Sequence, residues 1–254
     1  MNKLAVFYMI GQYGEEDQWK SIYYNQLNAL GQSGLYANIQ FIDIFVKGNQ
    51  PLSLQDLPEK VNNITYLGDL EEERPTNSKL YRAYNQIMQR MWTFSNANPE
   101  YKVLFFHSIG VSHVDPNVVR RSTLFREYMQ TFTINYWEDC VDILNYYDCV
   151  GTEYIPYAVF GPNSEYHLEA PHYQGFFWWA NASYLKTLDP CYFYQEVPWQ
   201  PYLCELWIGS GNPKAYNFYN TWKNRYYHDL DPIPYEESIQ NARNHLMEIQ
   251  NDNV

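Results

Sequence analysis

Lys102-Val103-Leu104-Phe105-Phe106-His107-Ser108-Ile109-Gly110 is the stretch on which the fold turns. After one lysine come Val103 to Phe106, all apolar and partly β-branched or aromatic, which suits a strand buried on both faces. His107, Ser108 and Gly110 then break the run within a few residues. Upstream, Leu4 to Ile10 is a similar run closed by Gly11; Asn38 to Val46 is another, and Ile64 to Leu67 a shorter one. Between them, Trp19, Ile22, Tyr23, Leu27 and Leu30 recur at helical spacing and stop at Gly31 or Gly34. Leu80, Tyr84, Ile87, Met88, Met91 and Trp92 mark one side of a helix from Ser78 to Phe94. Strand and helix in alternation predict a Rossmann-like α/β fold, a mixed, mainly parallel sheet flanked by helices.

Downstream, helical spacing covers Val118 to Phe132 and Tyr136 to Tyr146, and Asp148 to Gly151 reads as a fifth strand. A loop rich in Pro, Gly and Tyr leads to Pro171-His172-Tyr173-Gln174-Gly175-Phe176-Phe177-Trp178-Trp179-Ala180-Asn181. Adjacent tryptophans on a strand point to opposite faces, so the run is either all core, or core on one side and an aromatic wall on the other. Asn181 or Ser183 suits the cap of a short helix ending before Pro190, and Tyr235 to Ile249 reads as a terminal helix. With no repeat and no linker, residues 1–254 read as a single domain.

Composition narrows the partners. A net charge of −12 argues against a nucleic-acid backbone, which needs clustered Lys and Arg. Aromatics reach 19%, including 26 tyrosines, a bias found where carbohydrates or nucleotides bind. Cys140, Cys149, Cys191 and Cys204 form no CxxC pair and no zinc spacing, and read as reduced thiols. The N-terminal apolar run is too short for a signal peptide, and no window approaches a membrane span. The expectation is a cytoplasmic protein without a transmembrane segment. The acidic run Asp69 to Glu73 reads as solvated surface.

No Walker loop, GxGxxG, GxSxG or HExxH is present, which disfavours P-loop and hydrolase chemistry. Ligands of open α/β sheets sit beyond the carboxyl ends of the strands, here Tyr8-Met9-Ile10, His107-Ser108 and Gly151-Thr152-Glu153. His107 at a strand end is either bonded within a turn or aimed at a ligand. His172 precedes Gly175, whose missing side chain lets a ligand approach the backbone. Glu205, between Leu203-Cys204 and Leu206-Trp207, is either ion-paired or poised as a base.

In order and spacing these pieces resemble a family of small GT-A-type glycosyltransferase-like proteins of bacterial and viral polysaccharide gene sets. Its pattern is an apolar strand ending in His-Thr-Lys-Gly, a Trp-containing helix, an Asp-Val-Val-Gly-like strand, and a His-x-x-Gly-Asn-Phe-Trp-Trp-Ala segment. An acidic residue before an aromatic then follows. The counterparts are His107 to Gly110, Trp137 to Cys140, Asp148 to Gly151, His172 to Ala180, and Glu205 to Ile208. Two positions depart from it: Ile109 stands for the lysine, and Phe176 for the asparagine.

The resemblance implies a GT-A-like fold and transfer of a sugar from a UDP-, GDP- or dTDP-linked donor to a glycan or other hydroxyl acceptor. Residues 1–110 would bind the nucleotide, 111–234 the acceptor, and 235–254 would form the C-terminal helix. It places Tyr8, Met9, Ile10, Lys79, Arg82, His107 and Ser108 at the donor. His172, Gly175, Trp178, Trp179 and Asn181 fall at the sugar and acceptor, and Glu205 is the catalytic carboxylate. GT-A strands usually end there in Asp-x-Asp holding Mn2+ or Mg2+. His107-Ser108-Ile109 stands in that place, which leaves metal dependence open, with His107 as the candidate ligand. The alternative is a non-catalytic carbohydrate-binding protein on a degenerate GT-A scaffold.

Overall fold

The computed structural model of the protein describes residues 2–12, 16–48, 50–52, 59–67, 78–156, 171–190, 203–221 and 229–252. One seven-stranded sheet organises them, flanked by helices on both faces. Its order is β3(Val61–Tyr66), β2(Ile39–Lys47), β1(Lys3–Gly11), β4(Tyr101–His107), β8(Trp178–Asn181), β5(Cys149–Gly151), β9(Ala215–Asn217). A two-stranded ribbon, β6(Tyr154–Ile155) and β7(His172–Tyr173), stands beside it. Parallel pairing joins β3, β2, β1 and β4, and again β5 and β9; β8 alone runs against its neighbours. The expected mixed, mainly parallel α/β sheet is the one observed.

Each strand of the parallel half feeds both layers because successive side chains point to opposite faces. On one face Leu4, Val6, Tyr8, Ile10, Leu104 and Phe106 pack with residues of α1(Glu16–Gln32), α4(Pro116–Gln130), α5(Trp137–Ile143) and α8(Tyr235–Asp252). On the other, Ala5, Phe7, Met9, Val103 and Phe105 pack with α3(Ser78–Ala97), α6(Ala182–Leu185) and α7(Leu203–Leu206). The four-residue α2(Leu35–Asn38) leads directly into β2. Pro116 inside the first turn and the Asp115 carboxylate, accepting from the Asn117 and Val118 N–H groups, start α4. Among the described residues no helix is long and apolar enough to cross a membrane. The acidic run 69–73 lies outside them.

The aromatic run divides between the layers residue by residue. Phe177 and Trp179 join the first core, and Phe176, Trp178 and Ala180 the second. Trp178 and Trp179 are 1% and 0% exposed, so both alternatives for the run resolve to core on each side. Trp179 Nε1 donates to the Thr133 carbonyl at 2.7 Å. That carbonyl is available because a π-turn, Thr131–Asn135, interrupts the helix expected to run through Phe132. Cys140 Sγ reaches the Phe132 carbonyl in the same turn.

Candidate functional site at the carboxyl end of the sheet

The chain goes from β1 outward to β2 and β3, then returns to place β4 on the other side of β1. The strand order therefore reverses between β1 and β4, and beyond the carboxyl ends of such strands is where ligands of open α/β sheets sit. This end of the sheet is tightly bonded. Ser108 N–H donates to the Met9 carbonyl at 3.0 Å, and the Gly11 N–H donates to Ser108 Oγ at 2.8 Å. Tyr8 lies flat against Phe106, with ring centroids 4.4 Å apart, and its hydroxyl donates to Gln26 Oε1 at 2.7 Å. Gln26 Nε2 in turn donates to the His107 carbonyl at 3.1 Å. Tyr8, Met9 and Ile10 are all buried, so their side chains support this end of the sheet from within instead of facing a nucleobase directly.

His107 ties β4 to the start of β8. Nε2 lies 3.0 Å from the Gly175 carbonyl, which can only accept, so Nε2 carries a proton; Nδ1 faces the Tyr84 hydroxyl at 3.3 Å. Gly175 and Phe176 both adopt positive φ, 82° and 56°. Glycine takes this conformation freely, whereas phenylalanine is strained in it by about 1–2 kcal/mol. Packing compensates: Phe176 stacks on Tyr84 at 4.8 Å and meets Phe105 and His107 edge to face. The asparagine that the resemblance expected at 176 would enter this conformation more easily.

At the end of β5, Glu153 is a second strained residue, with φ 57° and only 1% exposure. Its Oε1 accepts from the Tyr128 hydroxyl at 3.1 Å and from the Thr221 N–H. Its backbone N–H donates to the Tyr219 carbonyl and its own carbonyl accepts from Gln174 N–H. Burial first, then this carboxylate, pushes the Tyr128 phenol well above its usual range. Glu153 thus clamps the chain after β9 onto the carboxyl end of the sheet. Glu153 was expected only as part of a strand end where ligands sit, with no role of its own, and Arg126, whose Nη1 donates to the Ile109 carbonyl at 2.8 Å, was not expected at the site.

The expected site residues divide. His107, Ser108 and Gly175 meet at the carboxyl end. His172 is buried on β7, and α7, which carries the half-buried Glu205, packs against that strand and against α3. Lys79 and Arg82 fall in the first turns of α3, and their side chains lie outside the described residues. Two placements correct the expectation. Neither indole of the Trp178–Trp179 pair has a face open for a pyranose, because both sheet faces are covered by helices. Asn181 sits at the opposite end, paired with Lys102, because β8 runs antiparallel and carries the run across the sheet. Its Nδ2 donates to the Leu144 and Tyr147 carbonyls at 2.8 and 2.9 Å.

Among the described residues no group of three or more His, Cys, Asp or Glu side chains comes together to hold a metal ion. Both ring nitrogens of His107 already face protein partners. Of the four cysteines, Cys140 and Cys149 are described and both are buried: burial pushes Cys149 up to about 12 and Cys140 well above its usual range.

No family model matches the chain, and no curated protein matches it. Among solved structures it is similar to the 4-diphosphocytidyl-2C-methyl-D-erythritol synthase of Anaerococcus prevotii DSM 20548, with TM-score 0.41, 12% identity, and 97% of this chain and 99% of that one covered. It is also similar to a second 4-diphosphocytidyl-2C-methyl-D-erythritol synthase, with TM-score 0.38, 8% identity and 97% and 98% coverage. Likeness at this level carries no argument about activity.

Proposed function

We propose that the protein transfers a sugar from a nucleotide-linked donor to a hydroxyl acceptor at the carboxyl end of this sheet. The observation that carries the reading is the junction of β4 and β8. There the His107–Gly175 hydrogen bond joins the strand-order reversal to a left-handed backbone pair, Gly175 and Phe176, strain of the kind that gathers at ligand sites. The donor nucleotide would lie beyond Gly11 and Ser108, with its sugar toward Gly175 and His172. Glu205, on the helix packed against the strand of His172, is the candidate carboxylate. It would take the proton of the acceptor hydroxyl in an inverting transfer, or stabilise or attack the anomeric carbon in a retaining one.

The test is a turnover screen with UDP-, GDP- and dTDP-sugars against a panel of hydroxyl acceptors, with and without Mn2+. Release of nucleoside diphosphate that depends on acceptor supports the reading. Glu205→Gln should then lower kcat by about a hundredfold or more while leaving donor KM nearly unchanged. Near-normal turnover in that variant would remove Glu205 from the chemistry. The second reading, a carbohydrate-binding protein without turnover, is favoured by the apolar Ile109 and Phe176 at positions where the resembled family is polar. Sugar binding with no turnover on any donor would decide for it.

A further inference from the structure

Arg126 is a buried cation short of acceptors. It lies on α4, 4% exposed, beneath the turn that leaves β4. Nη1 donates to the Ile109 carbonyl at 2.8 Å, Nη2 makes a long contact of 3.4 Å with Thr123 Oγ1, and the buried Nε has no acceptor. Among the described residues no carboxylate pairs with it. The acid that acts on it most is Glu127, its exposed neighbour in sequence. A guanidinium keeps its charge even where burial disfavours it, so the deficit cannot be relieved by losing a proton.

A second unmet group lies beside it. Ser122, one helical turn earlier on α4, is 1% exposed, and its Oγ has no partner. Ser122 Oγ and the Nη1 arm of the same guanidinium both border the Gly110 turn. The position a Cβ would take at Gly110 is 3.4 Å from Ser122 Oγ and 3.6 Å from Arg126 Nη1. Gly110 has φ 87°, and a real Cβ there would come within 2.6 Å of Ser122 Cβ, so only glycine lets the turn sit this close to α4. The turn lies at the carboxyl end of β4, where Ser108, two residues earlier, is bonded to Gly11.

We propose that Arg126 and Ser122 form an anion site under the Ile109–Gly110 turn that takes a phosphate group of the donor's diphosphate. A phosphate oxygen replaces the Ile109 carbonyl on Nη1 as the turn lifts about Gly110, and Nε and Ser122 Oγ gain the acceptors they lack. The guanidinium fork suits this task because it offers parallel donors to one phosphate. That the anion is a diphosphate rests on the proposed function; the presence of an anion site does not.

The experiment measures inorganic pyrophosphate, UDP and uridine binding by titration calorimetry to the full chain and to Arg126→Gln, Arg126→Lys and Ser122→Ala. Pyrophosphate and UDP should bind the unaltered protein, more weakly as salt rises, and Arg126→Gln should lose about tenfold or more. Arg126→Lys should fall between, Ser122→Ala should lose a smaller factor, and uridine affinity should not move. Cooperative unfolding of each variant shows that it is folded; if Arg126→Gln is not, Arg126→Lys and Ser122→Ala decide. No pyrophosphate binding to the unaltered protein overturns the site, as does undiminished binding by the folded variants. Pyrophosphate loss in Arg126→Gln with no turnover on any nucleotide sugar supports the anion site and counts against the transferase reading alone. Sugar transfer with unchanged donor KM in Arg126→Gln does the reverse.

Discussion

At the amino end of the sheet, Lys102 Nζ donates to the Val141 carbonyl and to Asn145 Oδ1, and Asn181 Nδ2 donates to two further carbonyls. At the carboxyl end, Arg126 Nε and Ser122 Oγ lack acceptors, and Gly110, Glu153, Gly175 and Phe176 all take positive φ. The same strands, β4 and β8, run through both ends. Their apolar middles fix the layers and are indifferent to what happens at either edge. Lys102 and Asn181 at the amino end are spent on holding helix ends to the sheet. Arg126, Ser122 and the left-handed residues at the carboxyl end keep unmet groups and strain, the two features a ligand can relieve, although Ser95 Oγ and Asn212 carry one of each at the amino end. The contrast teaches that burial alone does not separate support from site, and that an unmet group or a strained residue points to a site only where several gather.

The largest effect tests the shared middle. Trp179→Ala should cost about 3–5 kcal/mol, because it empties a large volume of core and leaves the Thr133 carbonyl without its donor. Urea unfolding measures it. The folded fraction should bind nucleotide as the unaltered protein does; a loss of affinity without a loss of stability would restore an open aromatic platform. Next comes the amino end. Asn181→Ala should cost roughly 2 kcal/mol, since two part-buried carbonyls lose donors. Its donor KM should not move, and a raised KM would put Asn181 back at the sugar.

Much of this contrast was legible in the chain, but unevenly. Leu4 to Ile10 and Val103 to Phe106 read as strands because their burial is written into consecutive apolar residues, and both form strands as expected. β6, β7 and β9 are two or three residues long and carry no pattern of their own; neighbouring strands hold them. The direction of β8 was hidden for the same reason, and with it the fact that Asn181 and Gly175 lie at opposite ends. Glu153 was seen only as the end of a strand, because its left-handed backbone is imposed by the chain after β9. Arg126 did leave a trace. Ser122, Phe125, Arg126 and Met129 share one helical face, so a charge sits on the buried stripe of α4.

At the carboxyl end, Gly175→Ala should cost about 1–2 kcal/mol, from a side chain forced to positive φ. The new Cβ would approach Met129 Sδ to 2.6 Å, but that is the end of a flexible side chain and can yield. Unlike Asn181→Ala, this change should raise donor KM as well, because displacing Met129 and straining this turn shifts the Gly175 carbonyl that holds His107. Stability loss with unchanged KM would erase the distinction between the two ends of β8.

The smallest effect concerns an apparent exception. Asp43 lies in the middle of β2, fully buried, with Oδ1 lacking a partner and Oδ2 accepting from Arg90 Nε at 2.9 Å. Burial raises its carboxyl above the ordinary range, and the opposing pull of Arg90, helped by Asn63, does not cancel it. The folded chain then holds this proton more tightly than the unfolded chain. Acidification through the window between the unfolded value, about 3.9, and the raised folded one should therefore stabilise the protein, and the gain is lost as pH rises through that window. Asp43→Asn should remove this slope without touching donor KM, as urea midpoints across the same pH range would show. An unaltered protein that loses stability on acidification relative to Asp43→Asn would mean that Arg90 outweighs burial. Asp43 would then be a satisfied ion pair, and the unmet groups would lie closer to the carboxyl end than the contrast now requires.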